Sequence, residues 1–122
     1  MKNVKIFNSS SPLSLINVKY CDNSFSRLKG LMFSKVLEKD QGIILVNEKE
    51  SRINSSIHMM FVNQDITVLW LNKQKEIVDM VLAKKWAPIY IPGKPAQYIL
   101  ELHQSKYNDY KIGDKLVLSD IG

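Results

Sequence analysis

The sequence feature that most constrains the fold is the apolar stretch from Ile57 to Leu71, the longest in the chain. It consists of two apolar runs, Ile57–Val62 and Ile66–Leu71, with a polar tripeptide between them. The second run is apolar at consecutive positions, which is typical of a strand buried on both faces. The first run, taken as a strand over His58–Val62, would alternate its side chains between two faces. The stretch therefore predicts two strands near the centre of the core, with a polar break between them.

Two polar residues of this stretch, His58 and Asp65, are candidates for a functional site. They are an odd number of positions apart, so on one straight strand their side chains would point to opposite faces. They can meet only if the chain turns or bulges at Asn63 and Gln64. The structural interpretation is a histidine hydrogen-bonded to the backbone and a carboxylate that caps a turn. The functional interpretation places both at one pocket with Glu101, a carboxylate in an apolar strand that needs a partner if it is buried.

Turn signals at short intervals divide the rest of the chain into short segments. The further predicted strands are Val4–Asn8, Leu15–Tyr20, Gly42–Val46, Glu76–Ala83, Gln97–Leu102 and Leu116–Leu118. One short α-helix is predicted at about residues 24–33, because Phe25, Leu28 and Met32 share one helical face. A helical turn is predicted at Ser105–Tyr110. The pattern indicates a mainly β fold in one domain over residues 1–122, a compact β-sandwich or partly closed β-barrel of about seven short strands.

Composition narrows the classes of function. The single cysteine, Cys21, excludes an intrachain disulfide and favours a reducing compartment. No apolar run reaches the roughly 20 residues of a membrane span, and no leader is visible, so we expect a cytoplasmic protein. The formal charge of +5 comes mainly from lysines, with only two arginines. Scattered lysines are typical of a solvated surface, so nucleic-acid binding through them is the least favoured function.

Four segments, taken in order, resemble the signatures of the family known as domain of unknown function 192. They are Arg27–Phe33 with Leu37, Asp40, Gly42 and Ile43; then Ile57–Leu71; then Tyr98–Leu102; and last Ile112–Asp114. The resemblance spans about Val18 to Leu118. It implies a small, mostly β domain with one short helix, and it implies no mechanism.

The chain departs from the family pattern in two places. Val62, Asn63 and Gln64 stand where a methionine, a basic residue and a proline are usual. His103 follows Leu102 where the family tends to have a Pro-Ala-Gly turn. The first departure includes Asn63 and Gln64, where the chain must turn or bulge if His58 and Asp65 are to meet.

Aromatic residues in the proline-rich segment after residue 85 motivate the first functional hypothesis. A non-catalytic domain would bind a small polar ligand, such as a sugar, or a protein partner, with the aromatic rings as stacking faces. The predicted ligand-binding residues are His58, Asp65, Trp86, Tyr98 and Glu101. The structural alternative is that these aromatics only anchor their loop to the core.

The second hypothesis is an enzyme or metal-binding domain. His58 would be a general base or metal ligand, and Asp65 and Glu101 would orient it or share the metal. The chain contains no HExxH, GxSxG, P-loop, GxGxxG or CxxC motif. We therefore assign no catalytic residue, no metal ligand and no cofactor, and we expect a monomer whose partner is a small ligand or a protein.

Overall fold

The fold is mainly β, as the sequence predicts. The computed structural model describes residues 3–23 and 30–120. It contains seven strands and one short 3-10 helix. The strands are β1 (Asn3–Asn8), β2 (Ser11–Cys21), β3 (Gln41–Ser51), β4 (Ile66–Leu71), β5 (Ile77–Ala83), β6 (Ala96–His103) and β7 (Leu116–Asp120). The 3-10 helix, Gln104–Asp109, confirms the helical turn predicted there.

The seven strands form one sheet in the order β5-β4-β6-β3-β2-β1-β7. Neighbouring strands are antiparallel except β2 and β3, which run parallel. The sheet curls into a half-barrel, and its two edges meet where β5 and β7 begin. There the Ile77 amide donates to the Asp114 carbonyl at 2.8 Å, and the Leu116 amide donates to the Lys75 carbonyl at 3.0 Å. Of the two predicted architectures, the partly closed barrel is the one observed.

The curled sheet has an apolar cluster on each face. The inner cluster includes residues of all seven strands, namely Val4, Ile6, Ile16, Val18, Ile44, Leu69, Leu71, Ile77, Leu100, Leu102, Tyr110 and Leu116. The outer cluster combines residues of the central strands with loop residues such as Leu31, Met59 and Val62. Because β4 contributes to both clusters, it is buried at all six positions. This confirms the prediction that its apolar run lies in the middle of the core.

The predicted strand His58–Val62 is wrong. These residues lie in the loop between β3 and β4, where the described backbone forms one isolated pair, Ile57 with Tyr90. The sheet offers no place for a further strand beside β4, because β5 and β6 pair with its two edges. The apolar residues of the segment instead divide between the outer cluster and solvent. Met59 is buried, whereas Phe61 is 40% exposed.

The helix predicted at about residues 24–33 falls largely outside the described residues, since the structure describes none of 24–29. Residues 30–33 form a turn, in which Gly30 has a φ of 48°. Leu31, the next residue, is buried in the outer cluster. Within the described ranges, no helix has the length and apolar character that crossing a membrane requires.

Candidate functional site

Three loops cover the outer face of the sheet, and together we call them the loop layer. They are residues 30–37, residues 52–65 and residues 84–95. Each contributes side chains that pack on the outer cluster. The side chain of Trp70 joins this layer to the sheet, because its Nε1 donates to the Ser55 carbonyl at 2.7 Å. The Ser55 hydroxyl in turn donates to the Ala96 carbonyl at 2.6 Å, which fixes the start of the second loop to β6.

A buried glutamine joins the first loop to the second. The side-chain oxygen of Gln64 accepts the Leu37 amide at 2.9 Å, and its nitrogen donates to the Lys35 carbonyl at 3.0 Å. The Phe33 amide also donates to the Phe61 carbonyl at 2.9 Å. Gln64 stands where the family pattern has proline, and the two hydrogen bonds of its carboxamide are ones that a proline side chain cannot make.

Backbone hydrogen bonds join the second loop to the third. Ile57 and Tyr90 exchange two of them, at 2.9 and 2.8 Å. The Met59 carbonyl accepts the Trp86 amide at 3.0 Å, and the Met59 amide donates to the Ala87 carbonyl at 2.9 Å. The three loops are therefore one connected layer.

Asp65 holds the beginning of the third loop. Its Oδ1 accepts the Lys85 amide at 2.9 Å, and its Oδ2 lies 3.6 Å from the Lys84 Nζ. The hydrogen bond from the Lys85 amide lowers the pKa of Asp65, with a smaller contribution from the Lys84 charge. This arrangement is that of the turn-capping carboxylate in the structural interpretation of the sequence.

Three aromatic side chains, one from each loop, meet at the surface of the layer, and we call them the aromatic triad: Phe33, Phe61 and Trp86. The Phe33 and Phe61 rings are stacked with their centroids 4.9 Å apart, and the Phe61 and Trp86 rings meet edge-on with their centroids 5.1 Å apart. All three remain exposed, by 69%, 40% and 45%. The indole Nε1 of Trp86 donates to Asn63 Oδ1 at 2.9 Å, which fixes the orientation of that ring.

The same three residues have a left-handed backbone conformation, with φ values of 61° for Phe33, 61° for Phe61 and 64° for Trp86. For a bulky side chain this conformation is uncommon and costs roughly 1–2 kcal/mol at each position. Such strain persists only where the surrounding structure enforces it, and it is concentrated at functional sites. Each of the three is the third residue of a turn closed by a backbone hydrogen bond, and the hydrogen bonds between the loops hold those turns together. The result is three solvent-exposed rings in mutual contact.

Glu101 lies beneath the loop layer, in the middle of the outer face. Its neighbours across the sheet are Ile43 on β3 and Val68 on β4. The side chain is 5% exposed, and no hydrogen bond or ion pair links its carboxyl group to a residue of the described ranges. Burial raises the pKa of Glu101 to about 7. This carboxyl group is therefore partly protonated at neutral pH.

The five predicted site residues do not share one location. Tyr98 packs with the inner cluster, whereas Glu101, three positions later on the same strand, points to the outer face. His58 is half-buried, and its Nδ1 accepts the Met60 amide at 3.2 Å. Trp86 and Asp65 both belong to the connected loop layer.

The enzyme and metal hypotheses required His58, Asp65 and Glu101 to act together. No hydrogen bond or ion pair joins any two of these three residues, each of which the structure describes. Among the described side chains, no three histidine, cysteine, aspartate or glutamate residues form a group that could hold a metal ion. A polar cavity of about 560 Å³ elsewhere, lined by Asn47, Glu48, Lys49 and Asn54, is open to solvent.

Sequence reasoning identified Trp86 but missed Phe33 and Phe61. It also missed Asn63, which accepts from the Trp86 indole, and Gln64, which joins the first two loops. It assigned Phe33 to a helix and Phe61 to a strand, so neither was considered for the surface. One signal was available: the family departures at Asn63 and Gln64 coincide with the residue that bonds the Trp86 indole and the residue that joins the first two loops.

Comparisons with known proteins confirm the family resemblance. The family model of DUF192, described as “Uncharacterized ACR”, matches residues 5–118. A UPF0127 protein of Pyrococcus furiosus is 42% identical over 70% of this chain and 71% of its own length. Another, from Pyrococcus horikoshii, is 35% identical over 91% of this chain and 96% of its own length. The chain spans about half, 52%, of a relative from Thermococcus kodakarensis.

Solved structures share the fold. The crystal structure of a protein from Sinorhizobium meliloti, whose description includes the words “transcription regulator”, is similar with a TM-score of 0.83 and 19% identity, over 96% of this chain and 92% of that one. A protein of unknown function from Novosphingobium aromaticivorans has a TM-score of 0.77 and 16% identity, over 94% and 83% of the two chains. At these identities the likeness concerns the fold alone.

Proposed function

The chain belongs to the DUF192 family, and we propose that it is a non-catalytic binding domain that holds a small polar ligand of the sugar class against the aromatic triad. The observation that carries the proposal is the combination of exposure and strain at Phe33, Phe61 and Trp86. A loop whose aromatics serve only as anchors would bury those rings. Here the backbone takes an unfavourable conformation and the rings stay in solvent.

The loop layer is suited to binding because it is ordered by its own hydrogen bonds. The indole of Trp86 is held by Asn63, and the backbone of Phe61 is held by Phe33. A ligand that docks on rings already in position loses less binding free energy to the ordering of side chains.

A sugar matches this surface chemically. One face of a pyranose ring carries C–H groups that stack on an aromatic ring, and its rim carries hydroxyl groups that need hydrogen-bonding partners. Exposed polar groups lie next to the triad in sequence, at Asn63 and Lys85, and the half-buried His58 lies nearby in the second loop. The pairing of apolar ring faces with a few polar groups is the usual composition of a small-ligand site.

Affinity electrophoresis through gels that contain neutral or acidic polysaccharides tests the proposal. We expect at least one polysaccharide to retard the wild-type protein, and we expect Phe61→Asn and Trp86→Asn to abolish the retardation. Asparagine tolerates the left-handed conformation, so these variants should fold. Ile112→Ser, which alters a residue that is 60% exposed in the turn before β7, is the matched control and should be retarded like the wild type. Retardation by no polysaccharide, or unchanged retardation of Phe61→Asn, would refute the proposal.

A further inference from the structure

We propose that the saccharide bound at the aromatic triad is acidic, a pyranose ring that carries carboxylate, sulfate or phosphate groups. This inference rests on the proposed function and specifies the class of its ligand. It is carried by the distribution of charge over the loop layer, which differs from that of the whole chain.

The loop layer is strongly basic. Its three loops contain five basic residues, Lys35, Arg52, Lys84, Lys85 and Lys94, and one acidic residue, Asp65. The whole chain has 17 basic and 12 acidic residues, so its excess positive charge is concentrated in this layer. Three of the five lie next to the triad along the chain: Lys84 and Lys85 immediately precede Trp86, and Lys35 lies two positions after Phe33.

The one carboxylate of the layer does not cancel this charge. Asp65 is directed at the Lys85 amide and at the Lys84 ammonium group. The ammonium groups of Lys35 and Lys85 form no ion pair with any residue in the described part of the chain, and both residues are exposed. Two exposed lysines without an ion pair among the described residues therefore lie close to the triad along the chain, and we infer that they bind an anionic group on the rim of a stacked sugar.

The geometry of the triad favours a sugar over a nucleic acid as the acidic ligand. Phe33 and Phe61 are stacked with centroids 4.9 Å apart, and Trp86 meets Phe61 edge-on at 5.1 Å, so the three rings form one cluster and not a row of separate stacking surfaces. A single-stranded nucleic acid is bound by several separate platforms along a basic groove, each stacked with a successive base. Stacking of one pyranose ring requires only one exposed ring face, and each ring of the cluster is partly exposed.

The experiment compares an oligogalacturonide with its methyl ester by isothermal titration calorimetry at low ionic strength. The two ligands have the same ring faces and hydroxyl groups, and only the first is charged. We expect the acid to bind at least about fivefold more tightly than the ester, because exposed ion pairs each contribute up to about 1 kcal/mol. Added salt should reduce this difference.

Protein variants locate the effect. Lys85→Gln should weaken binding of the acid about threefold and leave binding of the ester unchanged. Lys111→Gln, which alters an exposed lysine in the turn before β7, should change neither. Two acidic polymers without pyranose rings serve as controls. Polyglutamate carries carboxylates and no sugar, and polyuridylate carries phosphates on ribose, a furanose.

The outcomes separate this inference from the proposed function. Equal affinity for acid and ester would overturn the inference and leave sugar binding at the triad intact. Equally tight binding of polyglutamate or polyuridylate, unaffected by Phe61→Asn, would also overturn the inference, since the layer would then be a general polyanion surface. If neither galacturonide binds but a neutral polysaccharide does, the inference fails alone. If no saccharide binds, both fail.

Discussion

At the scale of single residues, the most informative feature is that three bulky aromatics have positive φ values. A fourth positive φ outside glycine, at Lys75, has an ordinary explanation in the tight turn between β4 and β5. The three aromatics also lie in turns, each at the third position of a turn closed by a backbone hydrogen bond, and their conformations coincide as well with ring contacts and with hydrogen bonds between loops. Sequence patterns contain no signal for this, because a turn with a positive φ at its third position favours glycine or asparagine there and not phenylalanine or tryptophan.

The positive φ at Phe61 predicts an unusual order of stability between the glycine and alanine variants. Both Phe61→Ala and Phe61→Gly remove the ring, but only glycine adopts a positive φ without cost. We expect the glycine variant to be more stable than the alanine variant by about 1 kcal/mol in urea denaturation. The strand residue Val117 is the control, and there alanine should be more stable than glycine. The same order at both positions would show that Phe61 is not strained.

Glu101 is the second informative residue, because burial raises its pKa from 4.5 to about 7. Below pH 4.5 the carboxyl group is protonated in both the folded and the unfolded chain. Between pH 4.5 and 7 the unfolded chain loses this proton first, so the free energy of unfolding decreases as the pH rises. The decrease should amount to about 3 kcal/mol and be complete slightly above pH 7.

The variant Glu101→Gln should remove this dependence. Measured by urea denaturation between pH 5 and 8, its free energy of unfolding should stay nearly constant, whereas that of the wild type should decrease. Glu38→Gln, at an exposed carboxyl group, should keep the wild-type slope. An unchanged slope in Glu101→Gln would mean that another group causes the pH dependence.

At the scale of elements, the strands and the loops were predictable to different degrees. The alternating or continuous apolar patterns located every strand of the sheet, and β4 was predicted with its observed ends, Ile66–Leu71. The loops were not predictable, because their conformation depends on side chains such as Gln64 that bond to backbone 27 and 29 positions away. The segment His58–Val62 has a strand-like composition, and only the occupied edges of β4 exclude it from the sheet.

Gln64 should be the residue that couples the first two loops. Methionine has a volume similar to that of glutamine but cannot replace its two hydrogen bonds. We expect Gln64→Met to lower the free energy of unfolding by about 1–3 kcal/mol, because the Leu37 amide and the Lys35 carbonyl lose their partner. Hydrogen exchange at the Leu37 amide should become faster. Gln74→Met, at an exposed turn position, is the control. Unchanged exchange at Leu37 would show that the loops are held together without this side chain.

At the scale of the whole molecule, the half-barrel is closed by contacts at one corner, where β1, β5 and β7 meet. Asp114 is central to that corner. Its Oδ2 accepts the Asn8 side-chain amide at 2.7 Å and the Lys111 amide at 3.0 Å, while its carbonyl accepts the Ile77 amide. Asn8 is 106 positions away from Asp114, so no local sequence pattern indicates that Asp114 joins the edges of the sheet.

Removing this carboxylate should weaken the whole fold. Asp114→Ala leaves the buried Asn8 amide without an acceptor, and we expect it to lower the free energy of unfolding by about 2–3 kcal/mol. Asp109→Ala, at an exposed position in the 3-10 helix, should change it by less than about 0.5 kcal/mol. Thermal denaturation followed by circular dichroism measures both, and equal stability of the two variants would contradict a structural role for this corner.

The central claim is that the aromatic triad is the binding surface, and nuclear magnetic resonance tests it most directly. The protein contains two tryptophans, one exposed in the triad and one buried with its Nε1 bonded to Ser55. During titration with an oligogalacturonide and with its methyl ester, the indole N–H signal of Trp86 and the Phe61 amide should shift and saturate together. The indole signal of Trp70 should remain unchanged. The absence of a saturable shift at Trp86 with either ligand, or shifts spread over lysines of the whole surface, would contradict the account.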